Sequence, residues 1–343
     1  MRLVRVGPAA DNFARVKRWI VAGALLVACG ARTDLGKRSI ADAAVDAPAD
    51  VPVPACASGA LAATGTKPDT IAIDGAFVYW HDETGVSRVP KTGGQPEVVA
   101  SSPATFWPEL AAFALADGYV FFASAAGTAS RVAASGGTAD ILGWNQPELA
   151  FAASSKFVYA WSPQGGPTPI MRFGFDGSGP NQVDDLTHPP NEMIVDANET
   201  AYVASDPGVL ANDYAGKSGL DVLLSGLTAT DVAPAGEDVY FTSDDATNGA
   251  RVMVVSTKTL NAHPIGDTKG AFALAQDDSD LYFTDGLGLR VRRIAGKKGP
   301  VTDVASVGPN FSPIDLVVDG ACVYFTSAPR DGGSAGAVTV APK

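Results

Sequence analysis

The 343-residue chain has few of the side chains from which metal and thiol sites are built, with only three histidines and three cysteines. So few ligands leave little for a zinc cluster or a Cys/His catalytic site. Charged residues make up 18% of the sequence, below the roughly 25% of an average soluble protein. The chain also lacks a Gly-rich phosphate loop, an HExxH segment, a nucleophile elbow and a CxxC pair. The common nucleotide-binding, zinc-protease and redox signatures are therefore excluded.

Glycine and proline are abundant instead, with 37 and 24 residues respectively. Together they are about 18% of the chain, against roughly 12% in average usage. Hydrophobic residues make up 46%, and no stretch shows a sustained helical period. This composition excludes a disordered chain and a coiled coil, and it favours a turn-rich β protein with a large core.

The first 28 residues have the character of an export signal. A basic lead is followed by ten apolar residues, which are too few for a bilayer-spanning helix of about 20 residues but suit a signal-peptide core. The Leu-Val-Ala-Cys sequence that ends at Cys29 resembles the bacterial lipobox, whose cysteine is acylated. We predict a lipoprotein signal peptide over residues 1–28, lipidation at Cys29 and a flexible Ala/Asp/Pro tether over residues 29–55. Alternatively, Cys29 is an ordinary residue of a signal that is cut elsewhere.

Loss of that leader changes the charge balance of the chain. Residues 1–28 contain five basic side chains and one acidic side chain, so the remainder has 20 basic and 36 acidic groups and a net charge of −16. Nucleic acids and anionic lipid heads are bound by clustered Lys and Arg, so we expect no nucleic-acid partner and no membrane attachment besides the lipid anchor. The expected location is the bacterial cell envelope, on its periplasmic or outer-membrane face.

A repeat of about 40 residues extends from residue 68 to the end of the chain. Each copy contains a short apolar run, often an Asp, and then an aliphatic residue followed by an aromatic marker. Successive markers are 42, 38, 43, 38, 42 and 42 residues apart. Seven copies at this spacing indicate a solenoid, a propeller or an array. The markers are Tyr79, Phe121, Tyr159, Tyr202, Tyr240, Tyr282 and Tyr324.

The first copy shows what one repeat contains. Its pattern predicts strands over 71–74, 77–81, 86–90 and 97–100, with a glycine-containing turn before the fourth strand. Four short antiparallel strands in about 40 residues are typical of one propeller blade. We therefore predict an all-β, seven-bladed β-propeller of four-stranded antiparallel blades over residues 56–343.

The seventh copy is too short for four strands, because only a third strand over 335–341 fits after its marker. We expect residues 59–64 to supply the missing strand and so close the ring. Cys56 and Cys322 fit this closure as a disulfide, since an exported protein lies in an oxidising compartment. Chain-entropy models give about 4–5 kcal/mol for so long a loop. The alternative is a buried free thiol at Cys322 and a loose Cys56.

The segments that run from the Asp to the aromatic pair, such as Asp277 to Asp285 and Asp319 to Ser327, resemble the YWTD repeat of lipoprotein-receptor propellers. They are also similar to NHL-type propellers of bacterial envelope proteins. The resemblance covers residues 68–343 and implies a fold rather than an activity. Receptor YWTD domains have six blades and flanking Cys-rich modules, so their ligands do not carry over. For this chain it implies marker rings that pack between blades and Asp residues that cap the turn after the first strand.

An acidic residue stands just before the first strand of most copies. In a propeller this position opens onto one end of the central channel, so the carboxylates would form a ring at the channel mouth. Such a ring could hold Ca²⁺ or receive a basic group of a partner. The alternative, which we favour, is that each carboxylate accepts a hydrogen bond from a neighbouring loop and joins blade to blade. The residues are Asp69, Glu109, Glu148, Glu192, Asp231 and Asp315.

Two tryptophans, Trp107 and Trp144, lie in matching segments beside these carboxylates. Exposed aromatic rings at a channel mouth would suit contact with a sugar or a peptide. Alternatively, both rings cover the ends of the hydrophobic blades. The three histidines occupy unequal positions in their copies, and His188 with Glu192 is the only nearby pair that resembles a lyase acid–base site.

These patterns predict an envelope-anchored lipoprotein propeller that is a binding or scaffold module for a protein, a peptide or a glycan. The alternative is a propeller hydrolase or lyase that acts on a small molecule with the help of Ca²⁺. The sequence assigns no catalytic residue, no metal ligand and no cofactor, and Ca²⁺ is the one ion that the acidic positions bring into consideration.

Overall fold

A computed structural model describes Cys56 and residues 58–101, 113–123, 127–146, 150–162, 168–188, 190–206, 208–214, 221–244, 249–333 and 335–343. Within these residues the chain forms 28 β-strands and one 3-10 turn, at Ala295–Lys297. None of the helical structure found there is long and apolar enough to cross a membrane.

The strands form seven four-stranded antiparallel sheets, which are numbered as blades in chain order. Strand β1 (Gly59–Thr64) precedes them. Blade 1 contains β2 (Ile71–Ile73), β3 (Phe77–Asp82), β4 (Gly85–Pro90) and β5 (Glu97–Ser101). Blade 2 contains β6 (Phe113–Ala116), β7 (Tyr119–Ala123), β8 (Thr128–Ala133) and β9 (Asp140–Asn145). Blade 3 contains β10 (Ala150–Ala153), β11 (Phe157–Trp161), β12 (Thr168–Gly174) and β13 (Asn181–Leu186).

The remaining blades repeat this order. Blade 4 contains β14 (Pro190–Val195), β15 (Thr200–Ser205), β16 (Gly208–Asp213) and β17 (Asp221–Ser225). Blade 5 contains β18 (Thr228–Ala235), β19 (Asp238–Asp244), β20 (Arg251–Ser256) and β21 (Ala262–Pro264). Blade 6 contains β22 (Ala271–Gln276), β23 (Leu281–Asp285), β24 (Arg290–Ile294) and β25 (Val301–Ser306). Blade 7 contains β26 (Phe311–Val318), β27 (Cys322–Pro329) and β28 (Gly336–Pro342), with β1 as its fourth strand.

The blades are arranged as a seven-bladed β-propeller, as the repeat predicted. The first strand of each blade contacts the first strands of both neighbouring blades, and β2 contacts β26, which completes the ring. These seven strands therefore surround the propeller axis. In blade 1 the predicted strands differ from the observed ones by a single residue at four of their eight ends.

The aromatic pair of each repeat explains why blades pack on one another. Successive side chains of a strand point to opposite faces of the sheet. Tyr79 accordingly packs in the core between blades 1 and 2, while the adjacent Trp80 packs in the core between blades 7 and 1. The same alternation holds in the other blades, and each of the seven junctions has its own buried cluster. The marker rings therefore pack between blades, as the resemblance implied.

Ring closure is confirmed. Strand β1 pairs antiparallel with β28 and so becomes the outer strand of blade 7. Cys56 and Cys322 form a disulfide, with 5.6 Å between their Cα atoms. An outer strand is not adjacent to the second strand of a blade, but β28 ends opposite Cys322, at the pair Cys322↔Pro342. The chain before β1 can therefore cross the end of β28 to reach Cys322.

The Asp of the repeat caps the turn after the innermost strand. Asp319 accepts hydrogen bonds from the backbone N–H groups of Ala321 (3.0 Å) and Cys322 (2.9 Å) and from the Tyr324 hydroxyl (3.0 Å). Asp74 and Asp277 repeat these contacts in blades 1 and 6. Each Asp thus fixes both the turn and the marker ring of its own blade.

Candidate binding site at the channel mouth

The described carboxylates of the predicted ring lie at the same end of the innermost strands, but three of them lie within a strand rather than before it. Strands β14, β18 and β26 begin earlier than the sequence suggested. Their pairing with the second strand shifts register beside Glu192, beside Asp231 and at Asp315. A β-bulge redirects the side chains around it. The bulges therefore permit polar side chains at the channel end of otherwise apolar strands.

Asp231 and Asp315 each connect two blades. Asp231 accepts the N–H of Val232 (2.6 Å) and that of Leu274 in blade 6 (2.6 Å). Asp315 accepts the N–H of Leu316 (2.7 Å) and that of Ile71 in blade 1 (2.9 Å). These contacts satisfy N–H groups that the bulges and strand ends would otherwise leave unpaired. Both side chains thus have the blade-joining role that we favoured for the ring.

Glu192 differs from these two aspartates. Its one hydrogen bond within the described residues is to the adjacent N–H of Met193, at 3.2 Å. The ion pairs found in the described residues involve none of Glu192, Asp231 and Asp315. The Glu192 carboxylate is therefore the one of the three that is not committed to holding two blades together.

Burial and mutual repulsion control the charge of this group. The three carboxylates are partly accessible yet closely surrounded by protein. Burial raises the pKa of Asp231 to about 7. Burial, together with the charges of Asp231 and Asp69, also raises the pKa of Asp315 to about 7, although the N–H groups of Ile71 and Leu316 oppose the shift. Burial first, and then the charges of Asp231 and Asp315, raises the pKa of Glu192 well above its ordinary value.

The fourth described member, Asp69, precedes β2 as predicted and is bound to a histidine. Its carboxylate oxygens lie 2.9 and 3.1 Å from Nδ1 of His81. The backbones of the two residues are also joined, because the Asp69 N–H donates to the His81 carbonyl at 3.0 Å. His81 is 2% exposed, so its ring is shielded from a substrate in the channel. The Asp69–His81 contact is therefore typical of a structural histidine held in place by its partner, and not of a general base that a substrate can reach.

The remaining candidates do not join this group in the described part of the chain. Glu109, Glu148 and Trp107 lie outside the described residues. Trp144 lies in β9, the outer strand of blade 2, and its ring contacts Phe173 of blade 3 with 6.4 Å between centroids. Because the outer strand continues to Asn145, the Trp144 side chain packs between blades 2 and 3 and does not lie beside the innermost strands. His188 contacts Thr187 at 3.1 Å and is exposed.

Two contributors to the mouth were missed from the sequence. His81 binds Asp69, and the Thr326 hydroxyl accepts the N–H of Asp315 at 3.2 Å. Both stand two positions after a marker tyrosine, so the repeat itself was the signal that could have found them. In the described residues no group of three or more His, Cys, Asp or Glu side chains is close enough to hold a metal ion.

Comparison with known proteins gives a fold but no family. No family model matches the sequence, and no curated protein matches it significantly. A chain of a mitotic checkpoint complex is similar with a TM-score of 0.63 and 11% identity, over 90% of this chain and 99% of that one. The extracellular domain of BT4673 from B. thetaiotaomicron gives a TM-score of 0.61 and 9% identity, over 83% of this chain and 39% of that one.

An enzyme is also among the similar structures. An oligogalacturonate lyase in complex with manganese gives a TM-score of 0.55 and 12% identity, over 78% of this chain and 85% of that one. At such identities the similarity shows the fold alone. The chain is a β-propeller whose structural neighbours include members of complexes, extracellular domains and enzymes.

Proposed function

We propose that the chain is a lipid-anchored propeller of the bacterial envelope that binds a protein, peptide or glycan partner through a basic group at the channel mouth. In this proposal residues 1–28 direct export, Cys29 carries the lipid, and residues 29–55 connect the lipid to the propeller. The Glu192 carboxylate receives the basic group, with the negative charges of Asp231 and Asp315 beside it.

The observation that carries the proposal is the state of Glu192. Two acidic neighbours repel its charge, no Lys or Arg of the described residues forms an ion pair with it, and its hydrogen bond is a local one. A structural carboxylate is normally paired or hydrogen-bonded to several donors. A basic group from a partner would relieve the repulsion and add charge-assisted hydrogen bonds.

Binding should therefore depend on Glu192 more than on any other described carboxylate. We expect a pull-down from envelope extract with residues 30–343 as bait to enrich a partner, and the Glu192→Gln bait to lose it. Removal of one member of a buried charge pair reduces affinity by about 2–5 kcal/mol, which corresponds to a loss of at least about 30-fold. The partner, once identified by mass spectrometry, is titrated against both proteins.

The matched control is Asp278→Asn, which removes an exposed carboxylate from the turn between β22 and β23, at the opposite end of the blades. This variant should bind as the native chain does. Equal enrichment of the same partner by the native and Glu192→Gln baits would place the interface elsewhere. Enrichment of nothing by the native bait would contradict the binding function itself.

A further inference from the structure

A turn of blade 4 contains an N-linked glycosylation signature that has no part in the channel-mouth site. The sequence has two Asn-X-Ser/Thr triplets in which X is not proline, at residues 198–200 and 310–312. In an exported protein such a triplet is an acceptor for an oligosaccharide when its asparagine lies on the surface. A triplet is a short motif, so the choice between the two depends on how the structure presents each asparagine.

The structure presents Asn198 at the tip of a turn. Asn198 is exposed and lies between β14 and β15, at the end of the blade opposite to the channel mouth. Asp196 holds the turn in shape, because one of its carboxylate oxygens accepts the N–H groups of Asn198 (2.8 Å) and Thr200 (2.9 Å). No hydrogen bond of the Asn198 side-chain amide is found within the described residues. A group attached to its Nδ2 would therefore extend into solvent and displace no contact of the fold.

Asn310 is exposed as well, but its surroundings are less suitable. It precedes β26, at the channel-mouth end of blade 7. Pro313 follows the triplet and restricts Ser312 to extended backbone, which limits how the serine hydroxyl can turn toward its asparagine. Asp196, by contrast, places a negative charge two residues before Asn198, and a basic side chain of a transferase can bind this charge. The triplet at residues 198–200 is therefore the better acceptor.

We propose that Asn198 is N-glycosylated after export, with a polyprenyl-pyrophosphate-linked oligosaccharide as the glycosyl donor. The Nδ2 of Asn198 attacks C1 of the first sugar, so that a C–N bond forms and the bond between C1 and the pyrophosphate oxygen breaks. The electron pair of that bond leaves with the polyprenyl pyrophosphate, and one amide proton passes to a base of the transferase. This inference rests on the export that the proposed function assigns to residues 1–28, and it places a sugar on the face away from the partner site.

The fold also indicates when the transfer takes place. Glu199, the middle residue of the triplet, is 2% exposed and has a φ of 65°. Thr200 belongs to β15, where it pairs with Asp213 of β16. A transferase that binds three consecutive residues cannot reach Glu199 and Thr200 in the closed turn. The sugar is therefore added to the exported chain before blade 4 folds, and the folded propeller then keeps it in solvent.

The test expresses the full chain, with its leader, in bacteria that contain an oligosaccharyltransferase, its lipid-linked oligosaccharide and a known acceptor protein as a positive control. The intact mass of the purified chain should increase by one oligosaccharide, and mass spectrometry of the glycopeptide should place the sugar on Asn198. Asn198→Gln and Thr200→Val should lose the added mass. Thr200→Ser, which restores a hydroxyl, should regain it, and Asn310→Gln should keep it.

The disulfide between Cys56 and Cys322, measured by thiol alkylation, reports whether the chain was exported. An oxidised native chain without added mass, in cells that glycosylate the control acceptor, would overturn the glycosylation and leave the proposed function intact. Added mass that survives Asn198→Gln would also overturn it. A chain in which both of these thiols remain free was not exported, and that result would contradict the glycosylation and the proposed function together.

Discussion

Aspartates at two positions of the repeat have different roles because their carboxylates meet different hydrogen-bond donors and charges. Asp277 and Asp319 are exposed enough to meet a lysine and accept turn N–H groups, and these contacts hold the pKa of each below its ordinary value although burial opposes this. Asp231 and Asp315 receive two N–H groups each but no cation, and burial raises the pKa of both. Ionisation of Asp277 and Asp319 therefore stabilises the folded state, whereas ionisation of Asp231 and Asp315 destabilises it.

This difference predicts the pH dependence of stability. Between an ordinary Asp pKa of 3.8 and the folded value of about 7, the folded state binds more protons than the unfolded chain at Asp231 and Asp315. Stability therefore falls as pH rises through this window and levels above pH 7. We expect a lower Tm at pH 8 than at pH 5, with a loss of about 3 kcal/mol for each carboxyl over the two pH units between pH 5 and its folded pKa of about 7.

The double variant Asp231→Asn, Asp315→Asn isolates these groups, because neither asparagine titrates. Its Tm should change less between pH 5 and pH 8 than that of the native chain, and the pH dependence that remains is that of Glu192, whose pKa is also raised by burial. The lysine-paired Asp277 and Asp319, whose pKa values are lowered, affect stability only in more acidic solution and do not contribute in this window. Parallel curves for the native chain and the double variant would exclude the two aspartates as the cause.

At the scale of strands, the repeat of apolar and aromatic residues predicts which side chains pack between neighbouring blades. It does not predict the β-bulges that interrupt the pairing of strands. The aromatic pair and the glycine-containing turns place β3 and β4 within a residue of their observed bounds, and residues 59–64 were identified as the donated strand. The bulges in β14, β18 and β26 were missed. A bulge adds a residue to one strand only and redirects the side chains around it, and one such shift in a strand of six to eight residues cannot be recognised from a single sequence.

The candidate site was predictable to a similar degree. The repeat placed Asp231 and Asp315 near the innermost strands, and it correctly offered a blade-joining role. It could not separate Glu192 from them, because that distinction depends on N–H donors contributed by the neighbouring blade. The repeat could not decide between the two interpretations of Trp144, because the end of an outer strand and the loop that follows it have similar composition, and only the ladder Thr128↔Asn145 shows where β9 ends.

Thr326 of β27 lies beside the bulge of β26, and its hydroxyl gives a testable prediction. Its buried hydroxyl accepts the N–H of Asp315 (3.2 Å) and donates to the Asp69 carbonyl of blade 1 (3.4 Å). Thr326→Val keeps the shape and leaves both groups unpaired, so we expect a loss of about 1–3 kcal/mol in urea unfolding. Thr302→Val, on the exposed face of β25, should change stability by less than about 0.5 kcal/mol. Equal effects of the two substitutions would contradict this role.

For the whole molecule, closure of the ring has a non-covalent part and a covalent part. Blades 7 and 1 share a buried cluster and are joined by the Lys91–Asp319 ion pair and by the hydrogen bond from Ile71 to Asp315. Strand β1 contributes less, because it is an edge strand of small residues in which only Ala62 and Thr64 are buried. The disulfide is what ties this weak strand, and the chain before it, to the centre of blade 7.

The disulfide can be removed without changing the non-covalent interface between blades 7 and 1. The bridge closes a loop of 266 residues, and the entropy that this loop closure removes from the unfolded chain predicts that Cys56→Ala lowers the free energy of unfolding by about 4–5 kcal/mol. Cys322→Ala also leaves a small cavity, since Cys322 is buried, and should be slightly more destabilising. Because both changes break one bond, the double variant should be no less stable than Cys322→Ala.

The same variants locate the effect within the ring. Hydrogen exchange should accelerate in β1 and at the edge of β28 that it covers, while the amides of β3 and β27, which pair on both sides with other strands, keep their protection. Such a result means that the blade 7–blade 1 interface holds the ring and that the disulfide holds the strand that enters it. If β3 and β27 lost protection together with β1, the donated strand would itself be the closure of the propeller, and the non-covalent interface would be secondary.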